Sequence, residues 1–375
     1  MNITLSPIKL PMSFTPKTAG STPIFKNRWI IFFFIAIAGV AGFYFFRAYG
    51  SRNFFNRNSG GLPANGRDTV NRDSARINAA LTVLDTVKYD QLLLALNNGD
   101  SSGRWPVKLK YPLPGAIFPF NRVVAFYGNL YSKRMGVLGE YPTDEMFAKL
   151  QAEIKKWQAA DSTVPVKPAL HYIAVTAQGY PGKGNKYRLR MPFKQIDSVI
   201  RMAARINALV FLDIQVGQST VQDEVPMLEA YLKMPQVHLG IDPEFSMKTG
   251  KKPGTVIGTM NDSDINFTIK YLTNLAKVNQ LPPKVLVVHR FTQAMIRNYK
   301  NIKPTPEVQV VIDMDGWGAR SRKLTTYHEY VSKEPVQFTG FKLFYKNDFR
   351  EAGSSMMTPA EVMRLKPKPV YIQYQ

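Results

Sequence analysis

The chain has 375 residues, a formal charge of +22 and no cysteine. The missing thiols exclude disulfides, thiolate metal ligands, a cysteine nucleophile and a lipidated cysteine. The positive charge favours anionic surroundings such as phospholipid head groups or acidic glycans. We predict no nucleic-acid partner, because the sequence has no basic helix with interleaved aromatic residues and no reader motif.

The first 73 residues are typical of a membrane anchor and its flanks. Residues 1–28 are polar and free of acids, which indicates a disordered cytoplasmic tail. Residues 29–46 are eighteen uncharged, mostly apolar positions, enough for a transmembrane helix. A cleaved signal peptide is the alternative, but no small-x-small site follows the apolar run. Residues 47–73 are rich in Asn, Gly, Ser and Arg, which predicts a flexible linker. We therefore expect a single-pass protein of the inner (cytoplasmic) membrane with a periplasmic or extracellular C-terminal domain.

Residues 74–121 predict an N-terminal helical region and a proline-containing lead-in. From residue 122 onwards, short β-branched runs alternate with longer helical patterns, which favours parallel strands with helices outside. Eight strands are predicted, at 122–127, 170–176, 209–214, 236–242, 284–289, 308–313, 341–345 and 370–374. Helices are predicted between them, at 143–160, 193–206, 225–232, 264–278, 292–299, 320–330 and 359–365.

This alternation predicts an α/β fold, a (β/α)8 TIM-barrel-like domain over residues 122–375, preceded by the transmembrane helix. The domain lacks the last helix, and we expect residues 74–97 to cover the eighth strand instead. An open doubly wound sheet is the rival fold. Its glycine-rich phosphate turn is missing after the first strand, where the sequence reads Phe126-Tyr127-Gly128-Asn129.

Carboxylates follow the fourth and sixth predicted strands, where barrel enzymes place their chemistry. Asp242 and Glu244 should share one face of the chain, and so should Asp313 and Asp315, because side chains alternate along a strand. Glycoside cleavage needs two carboxyl groups on opposite sides of the scissile bond. We therefore predict these four as catalytic residues. Helix capping or loop anchoring is the alternative role for each of them.

Further polar and aromatic residues near the strand ends are candidates for substrate binding. Aromatic rings could stack on sugars or could pack in the core, and cationic side chains could hold an acidic substrate group. The predicted substrate-binding residues are Asp213, His289, Arg290, Trp317, Tyr345 and Lys346. His171 and His238 are interpreted as core residues within strands, and His328 as a helix residue.

A metal centre is the competing interpretation of the same region. The Asp313-x-Asp315-Gly316-x-Gly318 turn, with His289 and Asp213, offers oxygen and imidazole ligands for Mg²⁺ or Ca²⁺. The turn lacks the remaining ligands of a twelve-residue calcium loop. The prediction is therefore no metal ligand and no cofactor. The loop at 179–186 (GYPGKGNK) has no phosphate-loop ending and is interpreted as a basic rim of the site.

Several motifs together resemble a family of uncharacterised bacterial surface proteins and lipoproteins with a barrel-like domain. They are Leu212-Asp213-Ile214-Gln215, Asp242-Pro243-Glu244-Phe245, Leu281-Pro282-Pro283-Lys284, His289-Arg290-Phe291-Thr292 and Asp315-Gly316-Trp317-Gly318. The resemblance covers residues 122–375 and implies an exported domain without supplying a reaction. This chain departs from the lipoproteins in having an apolar anchor and no cysteine.

The sequence thus favours a membrane-anchored, glycoside hydrolase-like enzyme acting on an envelope or extracellular polysaccharide. Two alternatives stay open, a non-catalytic carbohydrate-binding or scaffold protein and a metal-dependent phosphodiesterase, because barrels host all three.

Overall fold

A computed structural model describes residues 83–375. The predicted tail, membrane segment and linker (1–28, 29–46 and 47–73) lie outside this range, as does the first part of the predicted helical region. Within the described range, no helix is both long enough and apolar enough to cross a membrane.

Eight parallel strands close into a barrel, as predicted. The barrel strands are β1 (Arg122–Gly128), β2 (Val166–Ala177), β4 (Leu209–Ile214), β5 (Val237–Ile241), β7 (Lys284–Arg290), β9 (Val308–Met314), β10 (Phe338–Leu343) and β11 (Tyr371–Tyr374). They pair in the order β1, β11, β10, β9, β7, β5, β4 and β2, and β2 pairs with β1 to complete the ring. β3 (Arg188–Arg190) adds an antiparallel edge to β2, and β6 (Met260–Asn261) pairs with β8 (Ile296–Arg297) in a separate small sheet.

Helices surround the barrel because the outward side chains of its strands are apolar and need cover. The α-helices are α1 (Thr86–Leu96), α2 (Val137–Glu140), α3 (Thr143–Ala160), α4 (Phe193–Arg205), α5 (Val221–Glu224), α6 (Glu229–Leu232), α7 (Asp262–Val278), α8 (Arg320–Tyr327) and α9 (Pro359–Val362). α3 matches its predicted bounds. α8 continues into a π-helical turn, His328–Ser332, and Pro226 divides the helix predicted at 225–232 into a 3-10 turn and α6.

The prediction of a helix at 292–299 is wrong. Its residues form a 3-10 turn, Gln293–Met295, followed by β8. Arg290 explains the difference, because its guanidinium group donates hydrogen bonds to the carbonyl oxygens of Thr292 and Gln293 at 3.2 and 2.9 Å. Those carbonyls are the acceptors that the first helical turn would need.

The inside of the barrel has an apolar half at the end where the strands begin. Val123, Phe211, Val285, Val287 and Val311 belong to this cluster. The segment before β1 closes this end: Gln309 accepts hydrogen bonds from the backbone N–H groups of Ile117 and Phe118 and donates to the carbonyl oxygen of Phe118 at 2.7 Å. The barrel is therefore a packed core with one closed end, not a pore.

α1 does not cover the eighth strand. Its Leu93 and Leu96 pack against the apolar half, and the Leu96 carbonyl accepts a hydrogen bond from the N–H of Lys368 before β11. The outer face of β11 packs against α3, where the Trp157 indole N–H donates to the Tyr374 hydroxyl at 2.9 Å. Trp157 is fully buried on the inward face of the 18-residue α3.

Candidate functional site

The polar half of the barrel lies at the end where the strands stop. Its inward side chains continue the alternation of the apolar half, so residues two positions apart face the same interior. They form two tiers. The floor cluster consists of His171, Asp213, His289 and Asp313, all fully buried. The upper carboxyl groups are Asp242, Glu244 and Asp315, of which Glu244 and Asp315 keep partial exposure.

Asp213 is the centre of the floor cluster. Its Oδ1 atom lies 3.3 Å from Nε2 of His171 and 3.4 Å from Nε2 of His289. Its Oδ2 atom accepts a hydrogen bond from the Tyr127 hydroxyl at 3.0 Å. Burial alone would raise the pKa of Asp213, but His289 and His171 hold that pKa well below its usual range. Asp213 is therefore a permanently ionised group beneath the mouth.

The two floor histidines have different environments. Burial lowers the pKa of His171 to about 4, although Asp213 opposes the change. Burial would also lower the pKa of His289, but Asp213 and Asp313 raise it well above the ordinary value. His289 places Nδ1 3.2 Å from Asp313 Oδ2 and 3.4 Å from Asp315 Oδ2. It thereby links the floor to the upper tier.

The upper carboxyl groups divide into two kinds. Asp315 forms an ion pair with Lys342, whose Nζ atom is 2.9 Å from Asp315 Oδ1. Asp242 is 2% exposed and contacts Gln215, whose amide nitrogen lies 3.4 Å from Asp242 Oδ2. Burial raises the pKa of Asp242 to about 7, and the Asp213 and Asp315 charges add to the rise. Burial and the Asp242 charge also raise the pKa of Glu244. Because Glu244 keeps contact with solvent, Asp242 is the stronger candidate for a protonated group near neutral pH.

Backbone geometry fixes Asp242 and Glu244 at the mouth. Pro243 follows β5 directly and begins the 3-10 turn Pro243–Phe245, because proline cannot continue a strand ladder. The Asp242 side chain caps that turn by accepting a hydrogen bond from the N–H of Glu244 at 3.0 Å. Asp242 therefore has the capping role that the sequence offered as an alternative, and it uses Oδ1 for that role. Its other oxygen, Oδ2, faces Gln215.

The structure brings together all four predicted catalytic residues and two of the predicted binding residues, Asp213 and His289. Three others lie elsewhere. Arg290 alternates with His289 and faces outward, where it binds backbone carbonyls and Glu334. Tyr345 stacks on Tyr374 in the outer layer at 5.1 Å between ring centres. Lys346 is exposed and pairs with Glu140.

Trp317 lies half-buried on the loop after β9. Its ring is flanked by the guanidinium groups of Arg322 and Arg350, at 5.8 and 5.6 Å from the ring centre. The loop at 179–186, predicted as a basic rim, connects β2 to β3 and is largely exposed. An aromatic ring between two cations is a surface suited to sugars or to acidic groups.

Sequence reasoning missed Tyr127, His171, Gln215 and Lys342. Lys342 was missed because the strand predicted at 341–345 begins three residues earlier, at Phe338. Lys342 therefore lies near the end of β10, at the polar half of the barrel, and not near its start. Alternation from Asp213 places Gln215 on the interior face, so that signal was available. Two glycines let the buried carboxylates lie close to the backbone of neighbouring strands. A Cβ added at Gly240 would lie 2.4 Å from Asp213 Oδ1, and one at Gly340 would lie 2.5 Å from Asp313 Oδ1.

Two small cavities, of about 20 and 10 Å³, lie at the opposite end of the barrel near α1. Each has room for about one water molecule at most. They do not compete with the mouth as a ligand site.

No family model matches the chain, and no curated protein matches it. Among solved structures, it is similar to the YdhT protein from Bacillus subtilis, with 11% identity over 78% of this chain and 86% of that chain and a TM-score of 0.38. It is also similar to the mannanase man26 from Bacillus subtilis, with 12% identity, the same coverage and a TM-score of 0.38. A hyperthermophilic endo-β-1,4-glucanase has 9% identity over 56% of this chain and 77% of that chain, with a TM-score of 0.32. At these values the likenesses carry no argument about activity.

Proposed function

We propose that the barrel domain hydrolyses glycosidic bonds, with the upper carboxyl groups as its acid and base. The observation that carries the proposal is the contrast between two carboxyl groups at one mouth. Asp315 is paired with the buried cation Lys342, whereas Asp242 is buried with an amide neighbour and has a pKa of about 7. Glycoside hydrolysis uses two carboxyl groups in different surroundings, one of them a proton donor with a raised pKa.

In this mechanism Asp242 donates a proton to the leaving oxygen as the glycosidic bond breaks, and Asp315 accepts a proton from the water that attacks the anomeric carbon. Burial raises the pKa of Glu244 as well, and the charges of Asp242 and Asp315 add to the rise. Asp313 is fully buried and faces His289, so its role is to orient that imidazole. Lys342, whose Nζ lies 4.0 Å above the Tyr127 ring centre, pairs with Asp315 and positions its carboxylate.

The proposed substrate is a polysaccharide of the cell envelope or exterior. Trp317, on the loop after β9, and the guanidinium groups of Arg322 and Arg350 beside its ring would contact an acidic glycan, with Arg322 also paired with Glu351 at 2.6 Å. The proposal places the enzyme on the inner membrane through residues 29–46, with the barrel on the outer side. Protease added to permeabilised cells should then digest the barrel, whereas protection alongside a digested periplasmic control would place it in the cytoplasm.

The activity test is a polysaccharide screen of the full-length chain in mild detergent, with release of reducing ends as readout. Asp242→Asn and Asp315→Asn should each lower turnover at least about 100-fold, as loss of acid–base catalysis does, while circular dichroism stays unchanged. Asp223→Asn, on an exposed acid outside the mouth, should keep full activity. Binding without turnover, unchanged by the two variants, would replace this proposal with the carbohydrate-binding alternative.

A further inference from the structure

Six polar atoms of the floor cluster lack a hydrogen-bond partner: both ring nitrogens of His289, both carboxylate oxygens of Asp313, and one atom each of His171 and Asp213. Three of them, one from each of three side chains, lie close together. These atoms are Nε2 of His171, Oδ1 of Asp213 and Nε2 of His289, and all three side chains are fully buried. The atoms lie within 4.8 Å of one another, with Oδ1 at 3.3 and 3.4 Å from the two nitrogens. Ligand atoms about 2.0–2.2 Å from one cation are about 3–3.5 Å apart. We propose that His171, Asp213 and His289 bind one divalent transition-metal cation.

The opposite atom of each proposed ligand lies next to a second residue. His171 Nδ1 forms a hydrogen bond of 2.6 Å with the Tyr371 hydroxyl. His289 Nδ1 lies 3.2 Å from Asp313 Oδ2, an ion-pair contact without hydrogen-bond geometry. Asp213 Oδ2 accepts the hydrogen bond from Tyr127. A metal-bound histidine is usually fixed in this way, since a partner at one ring nitrogen directs the lone pair of the other towards the metal. The three outer partners therefore orient the three unpartnered atoms towards a common centre.

The donor set selects the class of cation. Two imidazole nitrogens and one carboxylate suit Zn²⁺, Fe²⁺ and related first-row ions, whereas Mg²⁺ and Ca²⁺ prefer oxygen ligands. This differs from the Mg²⁺ or Ca²⁺ site considered from the turn at Asp313, and His171 replaces that turn as a ligand. Gly240 on β5 keeps side-chain atoms away from the centre, because a Cβ there would lie 2.4 Å from Asp213 Oδ1 and 2.6 Å from His171 Nε2. Three protein ligands also leave coordination positions for water or a substrate oxygen.

The proposed ligands do not include the proposed acid and base, although His289 Nδ1 lies 3.4 Å from Asp315 Oδ2. The cation would lie in the floor, below Asp242 and Asp315, and its binding requires neither of them. Metal content is measured without substrate, so failure of the metal proposal and failure of the glycosidase proposal are distinguishable.

The test uses the full-length chain in mild detergent, stripped with a chelator and dialysed against Zn²⁺, Mn²⁺ or Fe²⁺ without oxygen. We expect about one equivalent of bound metal by mass spectrometry for at least one of these ions, and a thermal unfolding midpoint that rises with metal concentration. His171→Gln and His289→Gln should each weaken metal affinity at least 100-fold. Asp313→Asn should weaken it about 10- to 100-fold while saturating metal restores full occupancy, as expected of an outer partner.

Two other histidines provide matched controls. His238→Gln changes a buried barrel histidine of β5 that lies outside the cluster, and His328→Gln changes an exposed one. Both should keep one equivalent of metal at wild-type affinity. The proposal fails if wild-type protein takes up less than about a tenth of an equivalent of every ion, which would make the cluster a metal-free Asp–His charge network. It also fails if folded His171→Gln and His289→Gln bind metal as wild type does. The wild-type measurement decides the matter even if a variant does not fold.

Discussion

Lys342 and Asp315 form an ion pair of 2.9 Å between neighbouring strands, with their side chains 3% and 9% exposed. Removing one partner of a buried pair leaves an uncompensated charge, which costs about 3–5 kcal/mol. Lys342→Met should therefore lower the free energy of unfolding by about that amount in urea titrations. The double variant Lys342→Met/Asp315→Asn should recover most of the loss. Equal destabilisation of the single and double variants would show that Lys342 acts through packing alone.

Asp242 makes stability depend on pH in the direction opposite to that of most acids. Its pKa rises from about 4 in the unfolded chain to about 7 in the folded chain. The contribution of Asp242 to the free energy of unfolding is present in full below about pH 4 and is lost as pH rises to about 7. Asp242→Asn removes this loss, so at pH 8 in EDTA it should be more stable than wild type by on the order of 3 kcal/mol. The advantage should shrink towards zero at pH 4 in chemical denaturation, and a pH-independent difference would contradict the assignment.

Lys284 predicts a second pH dependence, at the other end of the barrel. Burial lowers its pKa to about 7, and its ammonium group donates to the carbonyl oxygens of Met234 and Val237 at 2.6 and 3.0 Å. Between about pH 7 and 10.4 the unfolded chain binds more protons, so this group makes stability rise with pH. Lys284→Met should abolish that rise. The measurement is the difference in unfolding free energy between wild type and variant at pH 7 and pH 9.5, and a constant difference would refute the shift.

The interior glycines should not tolerate a methyl group. A Cβ at Gly240 or Gly340 would come within 2.4 and 2.5 Å of buried carboxylate oxygens of Asp213 and Asp313. We expect Gly240→Ala and Gly340→Ala each to cost about 1–3 kcal/mol, the usual penalty of overpacking. Gly179→Ala is the control, because a Cβ there meets no atom within 4 Å. Thermal unfolding should rank the control near wild type and both interior variants well below it.

The barrel was readable from sequence because parallel strands buried on both faces form apolar runs that stand out between helices. Asp242, Glu244, Asp313 and Asp315 could be grouped for a related reason, since strand ends in a barrel converge on one rim. For Arg290 the sequence pattern was available but was not used. Side chains alternate along a strand, so an inward His289 requires Arg290 to face outward.

His171 shows what the sequence could not supply. It lies in the middle of β2, where apolar neighbours favour a core histidine, and nothing local marks it as part of a site. Its proximity to Asp213 depends on the register between β2 and β4, in which Ile173 is opposite Asp213. That register is set by pairing between distant segments.

The segment at Ile117 and Phe118 that closes one end of the barrel also determines where the chain enters it. The described chain before β1 lies at the end of the barrel where the strands begin: the Trp105 indole N–H binds the Ser332 carbonyl before β10, and the N–H of Leu113 binds the Pro306 carbonyl before β9. The polypeptide thus enters the barrel from below, and the carboxyl groups open at the top. The N-terminal end of the described chain and the carboxyl groups of the mouth therefore lie at opposite ends of the barrel.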